Sequence, residues 1–322
     1  MKFTTKESQE ICKNYNLGKF KNIKPIKGGL VNHNFTLITE KTEFVIRGIG
    51  QKITPKKRKR LTIEFKLMNF LEKNKFPYLI PIPLKNTNNE ILGKINNKNF
   101  WIYKKLPGKS IDKFSPKKEL EQLREMAKTL STYHKYVKSF KSGKNNYPTY
   151  LKWVLEIIKK INPKTNKNKI DKLALKEKDF FKKIIIKEIK RNYSKNIMAL
   201  HSDLDPSNVL FEKNKIIGII DFDDLDFGPR ARDVAISLRD TCTKRKKLDK
   251  NKIKVFLNQY EKINKLSKDE IRMIINLLLA ENAAFFAWAY GNMKKEQNNR
   301  YKYMKEMSEL SHNIIKDFKL IE

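Results

Sequence analysis

Hydrophobic residues change their spacing once along this chain, close to residue 106. Before that point apolar and polar positions alternate in short runs: "NIKPI", "HNFTLIT", "TEFVIRGI", "EILGKI" and "KNFWIYKKL". A period of two, with turn residues between the runs, predicts antiparallel strands. One helix interrupts them, "LTIEFKLMNFLEKN", in which Ile63, Phe65, Leu67, Met68 and Leu71 are apolar. Another opens the chain over 1–20, with Ile11, Tyr15 and Phe20 as its apolar positions. After "LPGKSI" (106–111) the pattern becomes helical: "KKELEQLREMAKTLSTYHKYV", then stretches around 150–161 and 171–193, and finally 250–318. Lys/Asn-rich connectors at 141–148 and 163–169 read as loops. The expected fold is α+β, with a small antiparallel β-sheet lobe and its one helix over 1–105. A short hinge leads into a large, mostly α-helical lobe over 106–322.

The formal net charge of +36 raises the question of a nucleic-acid partner. Only 11 of the 71 basic residues are arginine, however, and the lysines are spread over nearly every segment. A nucleic-acid reader concentrates arginine on one face, because its planar fork pairs with phosphate and guanine. The excess is read as compositional, and no specific nucleic-acid partner is expected. The densest basic run, "TPKKRKR" (54–60), could bind phosphate but reads first as a solvated loop. Two cysteines, Cys12 and Cys242, form no framework and no metal spacing, which suits a reducing compartment. With no apolar leader near the start, a cytoplasmic location is expected. The most apolar late segment, "IRMIINLLLAENAAFFAWAYGNM", carries Glu281 and Asn282 near its middle, so it reads as a core helix rather than a membrane span.

Against this basic background, seven aspartates gather within residues 199–235. "HSDLDPSN" is followed by "NVLFE" and "KIIGIIDF", a short hairpin turning at Lys213 and Asn214. Closing it would bring Asn208 and Asp221 together beside Asp203. Two hard oxygen ligands suit Mg²⁺, which takes one or two protein oxygens and completes its shell with water and phosphate. A further carboxylate without metal duty can orient a hydroxyl and accept its proton. The plain alternative is a pair of Asp-rich turns, since aspartate caps helices and starts turns. That explains Asp205 or Asp226 singly but not the ordered set.

The segments "HSDLDPSN" and "IIDFDDLDFGPRARDVA" resemble the catalytic and metal-binding loops of the aminoglycoside phosphotransferase and choline kinase-like enzymes. The resemblance covers roughly residues 20–290 and implies a protein-kinase-like two-lobe fold, with ATP and Mg²⁺ as cofactors. It implies Asp203 as catalytic base, His201 as a brace of the same loop, and Asn208 and Asp221 as metal ligands. "IKGGLVNHNF" is similar to the phosphate loop of homoserine kinase-like members, with Gly28 and Gly29 letting backbone N–H groups approach phosphate. Arg47, in "EFVIRGI", stands where the family places its phosphate-contacting cation, often a lysine, and Glu64 could pair with it. The stretch Tyr103–Leu106 resembles the hinge that binds adenine. His134, in "LSTYHKY", is expected to pack rather than to react.

The expected acceptor is a small-molecule alcohol, with homoserine first on the similarity of "GGLVNHNF", "EFVIR" and "ARDVAISL". Its ammonium could meet Asp205, Asp223 and Asp224, and its carboxylate Arg230 or Arg232, although those arginines could equally be structural partners of neighbouring carboxylates. The alternatives are choline or ethanolamine, with Trp288 and Tyr290 around the cationic head, or an aminoglycoside. From a different class, a non-catalytic nucleic-acid or partner-binding module on a kinase-like scaffold would have no need of Asp203, Asn208 and Asp221 together.

Overall fold

The computed structural model describes the chain apart from residues 27–31, 163–167, 192, 194–195, 293–296 and 319–322. Packing divides it into two units, Met1–Ser110 with Val209–Asp223, and Ile111–Asn208 with Asp224–Glu322.

The first unit opens with α1 (Thr5–Asn14) and then builds an antiparallel sheet from β1 (Phe20–Pro25), β2 (His33–Thr39), β3 (Glu43–Gly48), β4 (Gly93–Ile95) and β5 (Lys98–Lys104), ordered β1-β2-β3-β5-β4. Alternation places Phe35, Leu37, Phe44, Ile46, Phe100 and Ile102 in one core with Ile11 and Cys12 of α1. The opening helix is shorter than the 1–20 expected, because Phe20 already pairs with Thr39 in the sheet. The helix α2 (Pro55–Lys73) begins earlier than its apolar residues suggested. Thr54 caps it through the Lys57 N–H and Pro55 occupies its first turn, so the basic run read as a loop forms its first turns instead.

The hairpin foreseen after Asn208 is present as β7 (Val209–Glu212) and β8 (Lys215–Ile219). It joins the first unit through backbone hydrogen bonds of Leu79 with Ile217 and Ile219, and of Lys109 with Phe211. Gly108, at φ +91, is the turn that makes the latter contact possible. A Cβ there would lie 3.1 Å from the Phe211 carbonyl oxygen.

The second unit holds α3 (Glu119–Val137), α4 (Tyr147–Lys159), α5 (Lys169–Ile189), α6 (Arg230–Cys242), α7 (Lys250–Tyr260), α8 (Lys268–Asn292) and α9 (Gln297–Phe318). A two-stranded ribbon, β6 (Ile197–Leu200) with β9 (Asp226–Pro229), runs among them. By length and composition α8 could cross a membrane. Here it is a core helix, with Leu277, Leu278, Ala280, Ala283, Phe286 and Ala287 buried.

Glu7 shows how the first unit fastens its opening helix. Its carboxylate accepts from the Thr4 N–H at 2.8 Å while its own N–H reaches Thr4 Oγ1, a reciprocal capping box. The same carboxylate binds Lys98 Nζ at 2.6 Å and Asn96 Nδ2 at 2.7 Å. Hydrogen bonds from Lys98 and Thr4 hold its pKa at about 2, below the ordinary 4.5. A depressed folded value stabilises the protein above about pH 4.5 and loses that contribution as pH falls towards 2. Glu7→Gln is therefore expected to lower the unfolding midpoint at pH 7 and to converge with the wild type in acid. Parallel midpoint curves from pH 7 to pH 3 would contradict this.

Candidate active site

In the first unit the site is built around Arg47. Strand β3 turns this residue inward opposite Trp101, and the guanidinium is buried. Beyond β8 the chain enters a tight turn with Asp221 in the left-handed region, at φ +64. This conformation is costly for a residue other than glycine and is tolerated best by Asp and Asn. Arg47 Nη2 meets Asp221 Oδ1 at 2.6 Å and Asp223 Oδ2 at 2.9 Å. Asn32 donates to Asp223 as well. Burial alone would depress the guanidinium's pKa, but Asp223 and Asp221 raise it, so Arg47 is always charged.

Glu64, buried on α2, belongs to the same charge cluster, where burial and then Asp223 push its pKa up while Arg47 and Lys57 oppose them. The expected partner of Arg47 was Glu64. Its direct ion pairs run to Asp221 and Asp223, and Glu64 interacts through the field. Lys57 and Arg60, from the basic run, also act on Asp223. Tyr103 is buried on β5, and Leu106 is half-buried in the segment leading to Gly108. Gly28 and Gly29 lie outside the described residues.

In the second unit, β6 delivers the chain to His201, Ser202 and Asp203. The Asp233 carboxylate in the first turn of α6 accepts from the His201 and Ser202 N–H groups at 2.9 and 2.8 Å. It also meets His134 Nε2 at 3.1 Å, and the other ring nitrogen of His134 meets the Tyr260 hydroxyl at 2.7 Å. His134 is thus a buried bracing residue. His201 is fully buried with its ring against Tyr133. Ser202, at φ +65, makes the corner that leads into Asp203, which is half-buried.

Asn208 donates through Nδ2 to the Asp203 carbonyl and to Asp203 Oδ2, both at 2.8 Å, which turns its own Oδ1 away from Asp203. Asp205 Oδ1 accepts from the Ser207 N–H and hydroxyl and from the Asn208 N–H, capping the turn Pro206–Asn208. Burial, followed by the charges of Asp205, Asp224 and Asp240, raises the Asp203 pKa to about 8, with Arg239 opposing. A carboxylate poised near neutral pH has the proton affinity a general base needs.

The two expected carboxylate receptors sit elsewhere. Arg230 forms a bidentate pair with Glu270, at 2.6 and 3.0 Å, and donates to the Lys265 carbonyl. Arg232 is buried, with Nε on Glu281 at 2.7 Å, Nη1 on Asp226 at 3.0 Å, and its guanidinium 4.1 Å from the Tyr150 ring centroid. Both forks are engaged by the chain's own carboxylates, so the geometry gives them structural partners. Trp288 packs beside Phe285, and the Tyr290 hydroxyl donates to Asp171. Sequence reasoning passed over Arg239 and Asp240, whose charges act on Asp203. Their signal was their place seven residues beyond Arg232 and Asp233 on one helix.

Among the described residues no group of three or more His, Cys, Asp or Glu is arranged to hold a metal. Each unit offers hard oxygens of its own: Asn208 Oδ1 in the second, and in the first the Asp221 carboxylate, of which Arg47 takes Oδ1. Oxygens of this kind are what Mg²⁺ takes when nucleotide phosphates supply most of its shell.

A sequence profile described as "Phosphotransferase enzyme family" matches residues 22–263. The chain is similar to homoserine kinase of Methylobacillus flagellatus, 26% identical over 275 residues that cover 83% of this chain and 80% of the relative. It is 24% identical to homoserine kinase of Rhizobium meliloti over 277 residues, 84% of this chain and 79% of that one. Among solved structures, an amicoumacin kinase in complex with AMP-PNP and Ca²⁺ superposes with a TM-score of 0.71 at 14% identity, covering 96% of this chain and 94% of that one. A microcompartment-associated aminopropanol kinase superposes at 0.70 with 11% identity, covering 98% of both chains. These likenesses establish the protein-kinase-like fold.

Proposed function

Because the chain belongs to the phosphotransferase enzyme family, we propose that it moves the γ-phosphate of ATP to the side-chain hydroxyl of L-homoserine. The enzyme is a small-molecule kinase; the acceptor is the inference. The observation that supports it is the charge acting on Asp203, to which Asp205, Asp224 and Asp240 contribute and which Arg239 opposes. Such a surface selects an alcohol that brings an ammonium group. The homoserine kinases that align over about four fifths of both chains supply the identity of that alcohol.

Residues 1–105 with the carboxylates of Asp221 and Asp223 take the nucleotide in this reading, and 106–322 orients the acceptor. Asp203 receives the hydroxyl proton as the oxygen approaches the phosphorus. His201 and Asp233 hold the corner that aims it. Arg47 offers a fixed cation to the triphosphate. Mg²⁺ held by Asn208 and Asp221 would neutralise charge on the transferred phosphoryl group.

Asp221→Ala is expected to abolish turnover, and Asn208→Ala to raise the Mg²⁺ requirement. Unchanged Mg²⁺ titration curves in both variants would place the metal elsewhere. The acceptor is tested by comparing kcat/KM for homoserine, choline, ethanolamine and an aminoglycoside under one set of conditions. A preference for any acceptor but homoserine would overturn the assignment.

A further inference from the structure

Two faces of α6 meet at its last turn. Asp233, Ser237 and Asp240 follow one another at i, i+4 and i+7, a single helical face. The first two are fastened to the loop that carries Asp203. Asp233 holds the His201 and Ser202 N–H groups, and the Ser237 hydroxyl donates to the Leu204 carbonyl at 2.9 Å. Asp240, one turn on, therefore stands on the face turned towards that loop. Arg239 belongs to the adjoining face, seven residues after Arg232. Along it Arg232 binds Glu281 of α8, and Arg239 lies over the ring of Phe285, 5.7 Å from its centroid, four residues further along α8.

Arg239 differs from the other arginines of this helix in its partner. Arg230 and Arg232 bind glutamates of α8, whereas Arg239 binds the next residue, Nε to Asp240 Oδ1 at 2.6 Å and Nη2 to Oδ2 at 2.9 Å. Successive side chains on a helix diverge by about 100°, so neighbours ordinarily face apart. The pair has to fold across the helix surface to close. It presents a fork for a carboxylate and a carboxylate for an ammonium side by side, one turn beyond the Ser237 hydroxyl that holds the loop carrying Asp203.

We propose that Arg239 and Asp240 are the receptor for the α-amino acid group of the acceptor, the guanidinium taking the carboxylate and Asp240 the ammonium. The inference rests on the reading of the enzyme as a homoserine kinase and adds the residues that select the substrate. Without acceptor the two side chains satisfy one another. With acceptor, one bidentate contact between neighbours on the helix is exchanged for two charge-assisted ones, and the Phe285 ring keeps the guanidinium in place. The hydroxyl, at the far end of the acceptor, is left to reach Asp203.

The test measures kcat/KM of the wild type, Arg239→Ala and Asp240→Asn on L-homoserine, on 4-hydroxybutanoate, which lacks the ammonium, and on 3-amino-1-propanol, which lacks the carboxylate. Arg239→Ala should lose about 10- to 100-fold on homoserine and 4-hydroxybutanoate, the scale of a charge-assisted contact, and keep its activity on 3-amino-1-propanol. Asp240→Asn should show the opposite pattern, losing homoserine and 3-amino-1-propanol but not 4-hydroxybutanoate. Arg239→Lys, which keeps the charge without the fork, should fold like the wild type and fall between it and Arg239→Ala on homoserine. Equal losses on all three acceptors would overturn the receptor and leave the pair a structural one. Wild-type preference for homoserine with unchanged KM in every variant would sink the receptor alone. A wild type that does not use homoserine would sink the acceptor assignment beneath it.

Discussion

Replacing Asp203 by asparagine is expected to lower kcat by about two to four orders of magnitude, the scale of general-base catalysis, while the KM for ATP stays nearly constant. The substitution keeps the shape of the side chain and leaves an oxygen for Asn208 Nδ2, which now donates to Asp203 Oδ2. It removes only the charge and the proton affinity. That charge is held against burial and against Asp205, Asp224 and Asp240, which together raise the pKa to about 8. A raised carboxylate pKa means that ionisation at neutral pH destabilises the folded state. Asp203→Asn should therefore unfold at the same temperature as the wild type or higher, separating lost chemistry from lost structure. A variant that keeps a third of wild-type turnover would remove Asp203 from the mechanism.

Arg232→Ala is expected to act in the opposite sense, on the fold and not on acceptor affinity. It would strand Glu281, buried on α8, and take one partner from Asp226. Removing one member of a buried ion pair costs about 3–5 kcal/mol, because the remaining charge stays without compensation. The loss of the ring contact with Tyr150 adds to this. Converting Arg232 and Glu281 together to apolar residues of similar volume should recover most of the stability. Thermal unfolding of the single and double variants checks both statements. An Arg232→Ala protein that melts like the wild type but has a raised KM for homoserine would return this arginine to the substrate.

The two predictions show which parts of the site can be read in one dimension. The hairpin that follows Asn208 lies within a short stretch, so local turn chemistry and strand alternation were enough to foresee it. The strands of the first unit were legible for the same reason. Helix α2 was misjudged at its start because a basic run looks solvated until Thr54 and Pro55 are recognised as a cap and a first turn. The arginines of α6 were harder. Their partners, Glu270 and Glu281, stand on α8, and no local pattern joins a guanidinium to a carboxylate 40 or 49 residues away. Arg47 illustrates the same limit, since Asp221 and Asp223 reach it only after the chain has passed through about half of another unit.

That late return bears on how the protein is made. A ribosome releases Met1–Ser110 long before it synthesises Val209–Asp223, yet the two segments form one packed unit. During that interval Leu79 and Lys109 lack the strands they pair with, and the cation of β3 lacks both aspartates. The nascent N-terminal segment then has its five-stranded sheet but not the hairpin that pairs with Leu79 and Lys109, and of the final charge cluster only Glu64 accompanies the guanidinium, which leaves the segment open to holdase chaperones. Completion waits for residues beyond 220, so the first unit finishes folding only when the loop carrying Asp203 has already been synthesised.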